Sequence, residues 1–110
     1  MENLFSYGTL QMEQVQQDTF GRQLTGKADV LKGYEIAKLK ITDKKVIASS
    51  GTDIHPILKL SANPNDIVYG ICFELMPDEL LQSDRYEVSD YQRTKVVLQS
   101  GRSAWIYCSP

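Results

Sequence analysis

Residues 66–75, DIVYGICFEL, are almost continuously apolar and make the best candidate for the central strand of the fold. Their β-branched and aromatic side chains are typical of strands, and so continuous an apolar run predicts burial on both faces. Pro77 follows closely, with Asp78 and Glu79 behind it, and acids in a first turn suit the positive end of a helix dipole. We therefore predict a buried strand and then a short helix that ends within residues 84–86.

The residues after this helix predict a β-hairpin. Residues 91–98 alternate in polarity, and residues 104–108 form a second apolar run. Gly101 occupies the tight position of the turn at residues 99–102, which is typical of a hairpin connection.

The N-terminal residues predict a strand and a helix. Residues 3–7 form a short apolar strand, and the turn after it leads into residues 12–20, a weakly amphipathic helix. Gly21 then ends the helix.

The middle of the chain has a less regular pattern. Apolar positions alternate through residues 24–41 with a break near Gly33, which predicts either two strands or one long strand bent at a bulge. Residues 42–66 are rich in polar residues and are interpreted as loops with short strands at residues 46–48 and 57–60.

Length and composition indicate one domain. The chain has 110 residues, of which 42% are hydrophobic, and this suffices for a single globular domain over residues 1–110. Many short strands with two short helices predict an α+β fold, in which a small, mixed, largely antiparallel sheet curls towards a β-barrel and is flanked by the helices.

Charge and hydropathy limit the partners. The net charge is −2, and no cluster of basic residues exceeds Lys44-Lys45, so we expect no nucleic acid and no anionic membrane as partner. The sequence lacks a basic start with a long apolar run and any stretch of about 18 apolar residues, which predicts neither a signal peptide nor a membrane span. A cytoplasmic protein with a small-molecule or protein partner is the expectation.

The cysteines and the single histidine do not suggest a metal or a cofactor. Cys72 and Cys108 lie in apolar segments and are interpreted as buried free thiols, with one disulfide as the less favoured alternative. His55 has no partner at a metal-binding spacing, so we expect no metal site and no cofactor.

Two segments could carry chemistry. In Tyr7-Gly8-Thr9-Leu10, the glycine lets backbone N–H groups approach a bound carboxylate closely. Glu87, in an apolar and aromatic frame, could transfer protons. Taken alone, however, Glu87 fits a surface acid, and Tyr7 and Tyr91 fit ordinary half-buried strand tyrosines.

The order of these features resembles the γ-glutamylcyclotransferase-like family, whose AIG2-like and YtfP-like members are similar in size. The resemblance covers the chain from about Leu4 to Tyr107. It depends on segments that follow one another in the family's order, namely Tyr7-Gly8-Thr9-Leu10, His55-Pro56-Ile57-Leu58, residues 68–75, Asp84-Arg85-Tyr86-Glu87, Tyr91-Gln92-Arg93 and Ala104-Trp105-Ile106-Tyr107.

The resemblance implies a site and a reaction. The Tyr7-Gly8-Thr9-Leu10 loop holds the substrate, Tyr91 lines the pocket, Asp84 is a structural acid, and Glu87 is the catalytic acid and base. The implied reaction is intramolecular cyclisation of a γ-glutamyl amino acid or amine, which releases 5-oxoproline. Relatives of this size commonly form dimers, so a homodimer is possible. The alternative is a non-catalytic domain of the same fold that binds a small molecule.

Overall fold

The computed structural model describes residues 1–40, 44, 47–48, 54–86 and 91–109. Seven strands with defined bounds lie in these ranges: β1 (Glu2–Ser6), β2 (Gly26–Lys32), β3 (Tyr34–Lys40), β4 (Ile54–Leu60), β5 (Ile67–Leu75), β6 (Gln92–Val97) and β7 (Ser103–Cys108). The helical elements with defined bounds are a 3-10 turn (Thr9–Gln11), α1 (Glu13–Phe20) and α2 (Pro77–Tyr86).

The strands form one mixed sheet in the order β2-β5-β1-β7-β4-β3, and β6 pairs with β7. The β1 and β4 pairings with β7 are parallel, and the other pairings are antiparallel. The predicted α+β class with a largely antiparallel sheet is therefore confirmed.

The sheet curls until its two end strands meet at Gly33. β2 and β3 lie at opposite ends of the strand order, yet Gly33 alone separates them along the chain. Its φ of +82° suits glycine, its N–H donates to the Asp66 carbonyl at 2.7 Å, and its carbonyl accepts from the Ser61 N–H at 3.0 Å. No ladder joins β2 to β3 in the described residues, so the sheet is curled and open rather than a closed barrel. Of the two predictions for residues 24–41, the two-strand one is correct.

Two apolar clusters pack on the two faces of the sheet. Alternation along β7 separates them, because successive strand side chains point to opposite faces. The inner cluster lies within the curl and comprises Phe5, Leu31, Leu58, Val68, Cys72, Leu98, Ala104, Ile106 and Cys108. The helix-side cluster packs under α1 and α2 and comprises Leu4, Leu10, Val15, Leu75, Leu80 and Tyr107.

The prediction that residues 66–75 are buried on both faces is wrong for the first half of β5. The strand is internal, between β2 and β1, but Tyr69 is 74% exposed and Ile67 is 41% exposed. An antiparallel sheet can leave one face in water, and an apolar run does not reveal which face a helix covers.

Other local predictions had mixed outcomes. The helix at residues 12–20, the strand at residues 57–60 and the hairpin around Gly101 are confirmed. The short strand predicted at residues 46–48 is wrong, since Ile47 and Ala48 are helical, and Val46 lies outside the described residues. Strand propensity in so short a segment is easily overridden by tertiary context.

Both cysteines are buried free thiols, as predicted. Burial raises the pKa of the Cys72 thiol, although Arg102 beside it acts in the opposite direction. A thiol held in this protonated state is a poor nucleophile.

Candidate active site

β1 and β4 share one edge of β7, and the place where they part forms the candidate site. β6 runs along the other edge of β7. Leu4 of β1 lies opposite Trp105, and Leu58 of β4 lies opposite Cys108 further along the same strand. β1 therefore ends where the β4 pairing begins. We call this divergence the fork; Tyr7 and Gly8 follow directly from β1 into it.

The Tyr7 side chain fills the fork. Its hydroxyl donates to the backbone carbonyl of Tyr107 in β7 and accepts from the Leu58 N–H of β4 at 3.3 Å. A phenol has both a donor and acceptor capacity, so it can bridge two strands that have moved apart. Tyr7 thus ties the two strands together where their own ladder is sparse.

Gly8 lies against Pro56 of β4. A Cβ built on Gly8 would be 2.9 Å from Pro56 Cγ, closer than such atoms normally approach. The φ of Gly8 is not positive. The glycine is therefore required by the close approach to Pro56, and not by a left-handed backbone as a turn glycine often is.

Hydrogen bonds with Gln11 fix the turn that follows Gly8. The Gln11 N–H donates to the Gly8 carbonyl at 3.1 Å, and the Gln11 side-chain amide donates to the Ser6 carbonyl at 2.7 Å. The N–H groups of Thr9 and Leu10 precede this first helical hydrogen bond, so the helical turn itself does not use them. The Leu10 side chain is buried in the helix-side cluster, so this residue can offer a ligand only its backbone.

Tyr91 reaches the same part of β4 from the start of β6. Its hydroxyl donates to the Pro56 carbonyl at 3.0 Å. The polar groups of residues two apart point to the same edge of a strand. Tyr91 and Tyr7 therefore occupy one edge of β4, at Pro56 and Leu58. The structure thus brings Gly8 and Tyr91 onto Pro56, and Tyr7 onto Leu58 two residues along the same strand.

Asp84, in the last turn of α2, is held by β6 and β7. Asp84 Oδ1 accepts from the Tyr107 hydroxyl at 2.7 Å and lies 3.1 Å from Arg93 Nε. Ser83 Oγ lies 2.6 Å from the Tyr107 hydroxyl and 2.8 Å from the Leu80 carbonyl, so its single proton is shared between these two acceptors. Asp84 is therefore bonded to β7 and paired with a cation of β6, while the role that the resemblance implies for it stays a prediction.

Arg93 is fixed on its other side by Trp105. The guanidinium carbon lies 4.4 Å from the centroid of the indole ring, and Lys95 Nζ lies 5.0 Å from it. The indole N–H donates to Glu2 Oε2 at 3.1 Å. Trp105 is therefore half-buried and packs against cations, in addition to contacting the helix-side cluster.

The family model for γ-glutamyl cyclotransferase, AIG2-like proteins matches residues 4–110. The chain belongs to this family. A comparison with curated protein sequences found no match to this chain.

Solved structures with the same fold support the architecture. An Arabidopsis thaliana protein, At3g28950.1, solved in solution, has a TM-score of 0.70 and 24% identity over 98% of this chain and 61% of its own. A γ-glutamyl cyclotransferase structure has a TM-score of 0.72 and 14% identity over 99% of this chain and 66% of its own. Uncharacterized protein PH0828 from Pyrococcus horikoshii has a TM-score of 0.66 and 14% identity over 99% of this chain and 78% of its own. At these identities the likeness shows the fold alone, and this AIG2-like chain spans 61% of the length of the Arabidopsis protein.

Glu87 lies outside the described residues, so its role in this AIG2-like chain stays a prediction. The described residues on either side of it are anchored. Asp84 is tied to Tyr107 and Arg93, and Tyr91 is tied to Pro56. The chain therefore enters and leaves the segment of Glu87 from two fixed points beside the fork.

Pro56, which belongs to the His55-Pro56-Ile57-Leu58 segment of the resemblance, is the surface on which Gly8 and Tyr91 converge. The sequence does not indicate a role at the site for Tyr107, which holds Asp84, or for Ser83, which lies against the Tyr107 hydroxyl. The sequence gives one signal for the direction of Tyr107. Because side chains alternate along the strand at residues 104–108, the Tyr107 side chain points to the face opposite to that of its immediate neighbours.

The described ranges contain no group of three or more His, Cys, Asp or Glu side chains suited to a metal ion. No helix within them has the length and apolar character needed to cross a bilayer.

Proposed function

We propose that this protein is a γ-glutamyl cyclotransferase that converts a γ-glutamyl amino acid or amine into 5-oxoproline and a free amine. The observation that carries the proposal is the convergence of Gly8 and Tyr91 on Pro56, with the Tyr7 hydroxyl on Leu58 two residues along the same strand. Tyr7 also donates to the carbonyl of Tyr107, whose own hydroxyl donates to Asp84. Family membership supports the class of chemistry.

The proposed reaction is intramolecular. The α-amine of the substrate attacks its own γ-carbonyl, a carbon–nitrogen bond forms to close the ring, and the bond to the departing nitrogen breaks. Two protons leave the α-ammonium in the course of the reaction, and the departing nitrogen gains two, so no net proton is consumed. Because the nucleophile belongs to the substrate, the protein has to bind it in the right conformation and move protons.

Glu87 is the proposed proton carrier. It takes a proton from the α-ammonium, which gives the amine a lone pair, and passes a proton to the departing nitrogen. Glu87 follows Asp84 by three residues, so chain length limits the separation of their Cα atoms to about 11 Å.

The Tyr7-Gly8-Thr9-Leu10 turn is the proposed substrate-binding element. Its backbone N–H groups hold the substrate carboxylate or the oxyanion that develops during attack. The hydroxyls of Tyr7 and Tyr91 are engaged with β4, while the Tyr7 ring packs against the inner cluster and the Tyr91 ring against the helix-side cluster. In this proposal the two residues line the site from the two sides of the sheet. Leu10 contributes its backbone.

The test is incubation of the purified protein with a panel of γ-glutamyl amino acids and γ-glutamyl amines, with 5-oxoproline measured by mass spectrometry. We expect product from at least one member and a large loss of rate in Glu87→Gln. Glu35→Gln is the matched control, because Glu35 is exposed and pairs only loosely with Lys59 at 3.9 Å. No product from any member, or equal rates for wild type and Glu87→Gln, excludes the proposed mechanism. Binding of a panel member without turnover supports the alternative, a non-catalytic binding domain.

Location and assembly are proposed as well. Two buried free thiols fit a reducing compartment, which supports the cytoplasm as the location. A homodimer is the proposed assembly, and sedimentation of the purified protein at several concentrations tests it.

A further inference from the structure

Tyr107 contacts both halves of the candidate site. Its backbone carbonyl accepts the Tyr7 hydroxyl at the fork, and its own hydroxyl donates to Asp84. A strand directs its backbone polar groups within the sheet and its side chains out of it, so the two bonds point in different directions. One residue of β7 therefore connects the substrate-binding turn with the end of α2.

The Tyr107 ring is held firmly on the α2 side. The residue is 6% exposed and packs in the helix-side cluster with Leu4 and Leu80. Its oxygen lies 2.7 Å from Asp84 Oδ1 and 2.6 Å from Ser83 Oγ. A buried phenol with two polar partners has little freedom to shift along the sheet, so its backbone carbonyl is also fixed.

Arg93 fixes the other side of Asp84. The ion pair is solvated, since the side chains of Arg93 and Asp84 are 27% and 32% exposed. Pairs of this kind contribute little to stability. Its effect is therefore chiefly on the orientation of the Asp84 carboxylate, which the stacking of Arg93 on Trp105 makes more definite.

We infer that Tyr107 is a positioning residue of the site: held by Asp84, Ser83 and Arg93, it sets the position of Tyr7 and of the turn that binds the substrate. The inference rests on the proposed function. Tyr107 is buried, and in this inference its effect passes through the Tyr7 hydroxyl. The position of the turn determines where its N–H groups point, so the inference predicts an effect on substrate affinity.

The first test needs no activity. Tyr107→Phe keeps the ring and removes the hydroxyl that Asp84 and Ser83 hold. We expect the backbone amide resonances of Gly8 and Leu58 to shift in the ligand-free protein, as they also do in Tyr7→Phe. The matched control is Ser100→Ala, which removes a hydroxyl that donates to the Asp29 carboxylate at 2.6 Å in the hairpin turn. Unchanged Gly8 and Leu58 amides in Tyr107→Phe overturn the inference.

The second test uses a γ-glutamyl compound that the wild type turns over. We expect Tyr107→Phe to raise KM by about tenfold while kcat changes by less than about threefold, the effect of one lost hydrogen bond to a charged group. Tyr7→Phe with Tyr107→Phe should cost less than the sum of the single changes, since both act on one element. An unchanged KM, or strict additivity, contradicts the inference. If the wild type turns over nothing, the proposed function fails, and the amide shifts still decide whether Tyr107 positions the turn.

Discussion

Tyr7 and Tyr107 are joined by a hydrogen bond that spans 100 residues of sequence, from the side chain of one to the backbone carbonyl of the other. The bond links the end of β1 to β7 at the point where β4 replaces β1 as the neighbour of β7. A long-range contact of this kind keeps the turn after β1 in place, which the single residue pair between β1 and β7 could not do alone.

Removal of the Tyr7 hydroxyl should destabilise the protein. Tyr7→Phe leaves the Leu58 N–H and the Tyr107 carbonyl without this partner. We expect a loss of about 1–3 kcal/mol in the free energy of unfolding, the usual range for a buried group that loses its hydrogen bond. Urea denaturation measures it. Tyr69→Phe is the control, since Tyr69 is 74% exposed, and a comparable loss there would contradict the explanation.

A methyl group at Gly8 should displace the turn from β4. Gly8→Ala places a Cβ 2.9 Å from the Pro56 ring, so the two segments must separate. We expect a destabilisation of about 1–3 kcal/mol, typical of overpacking, together with weaker substrate binding. Pro56→Ala makes room for the methyl group, so the double variant should regain part of both losses. No change in melting temperature or in KM for Gly8→Ala would show that the contact is unimportant.

The elements that the sequence predicts well have local signals of their own. Each of them depends on the backbone conformation that a single residue favours. Proline fixes φ at the helix start at Pro77, and glycine permits the positive φ at the Gly101 turn and at the break at Gly33. The fork has no such local signal. It arises because Leu58 pairs with Cys108 and Leu4 pairs with Trp105. These strands are far apart in sequence, and the pattern of apolar residues within each strand does not show which strand it pairs with.

The same distinction applies to the candidate site. The order of motifs indicates Tyr7, Gly8 and Tyr91, and the structure places Gly8 and Tyr91 on Pro56 and Tyr7 on Leu58 of the same strand. Their physical roles were not predictable, since nothing in the sequence shows that Gly8 packs on Pro56. The sequence does not distinguish Tyr107 from other strand tyrosines, because its bond to Asp84 depends on the packing of β7 against α2.

The ion pair between α1 and α2 predicts how stability depends on pH. Arg22, just after α1, binds Glu79 through two nitrogen–oxygen contacts of 2.7 Å, and the Met76 N–H donates to the same carboxylate at 2.9 Å. The hydrogen bonds from Arg22, more than its charge, lower the pKa of Glu79 below its ordinary value of 4.5, against the opposing effect of burial. A lowered folded-state pKa gives stability that is present above the unfolded pKa and lost as pH falls through the folded one.

Glu79→Gln should therefore cost most at neutral pH. We expect about 1–2 kcal/mol at pH 7, and a difference from wild type that shrinks as the pH falls below the ordinary glutamate value. Urea unfolding of both proteins from pH 7 down to pH 3 measures it. Glu74→Gln, at an exposed acid on β5, is the control and should show a much smaller trend. A constant difference across this pH range would mean that the carboxylate charge contributes nothing.

Arg93 and Lys95 should differ in their effect on catalysis although both pack on Trp105. Arg93 also binds Asp84 at 3.1 Å, whereas Lys95 forms no ion pair with another described residue. We expect Arg93→Gln to lower kcat/KM by about tenfold through a misplaced Asp84, and Lys95→Gln to leave it nearly unchanged. Trp105 is the single tryptophan of the chain, so its fluorescence reports the loss of either cation from the ring. If both variants change the fluorescence but only Arg93→Gln slows turnover, the contact with Asp84 is responsible for the loss of turnover. Equal losses of turnover in the two variants would instead show that packing on the Trp105 ring is responsible.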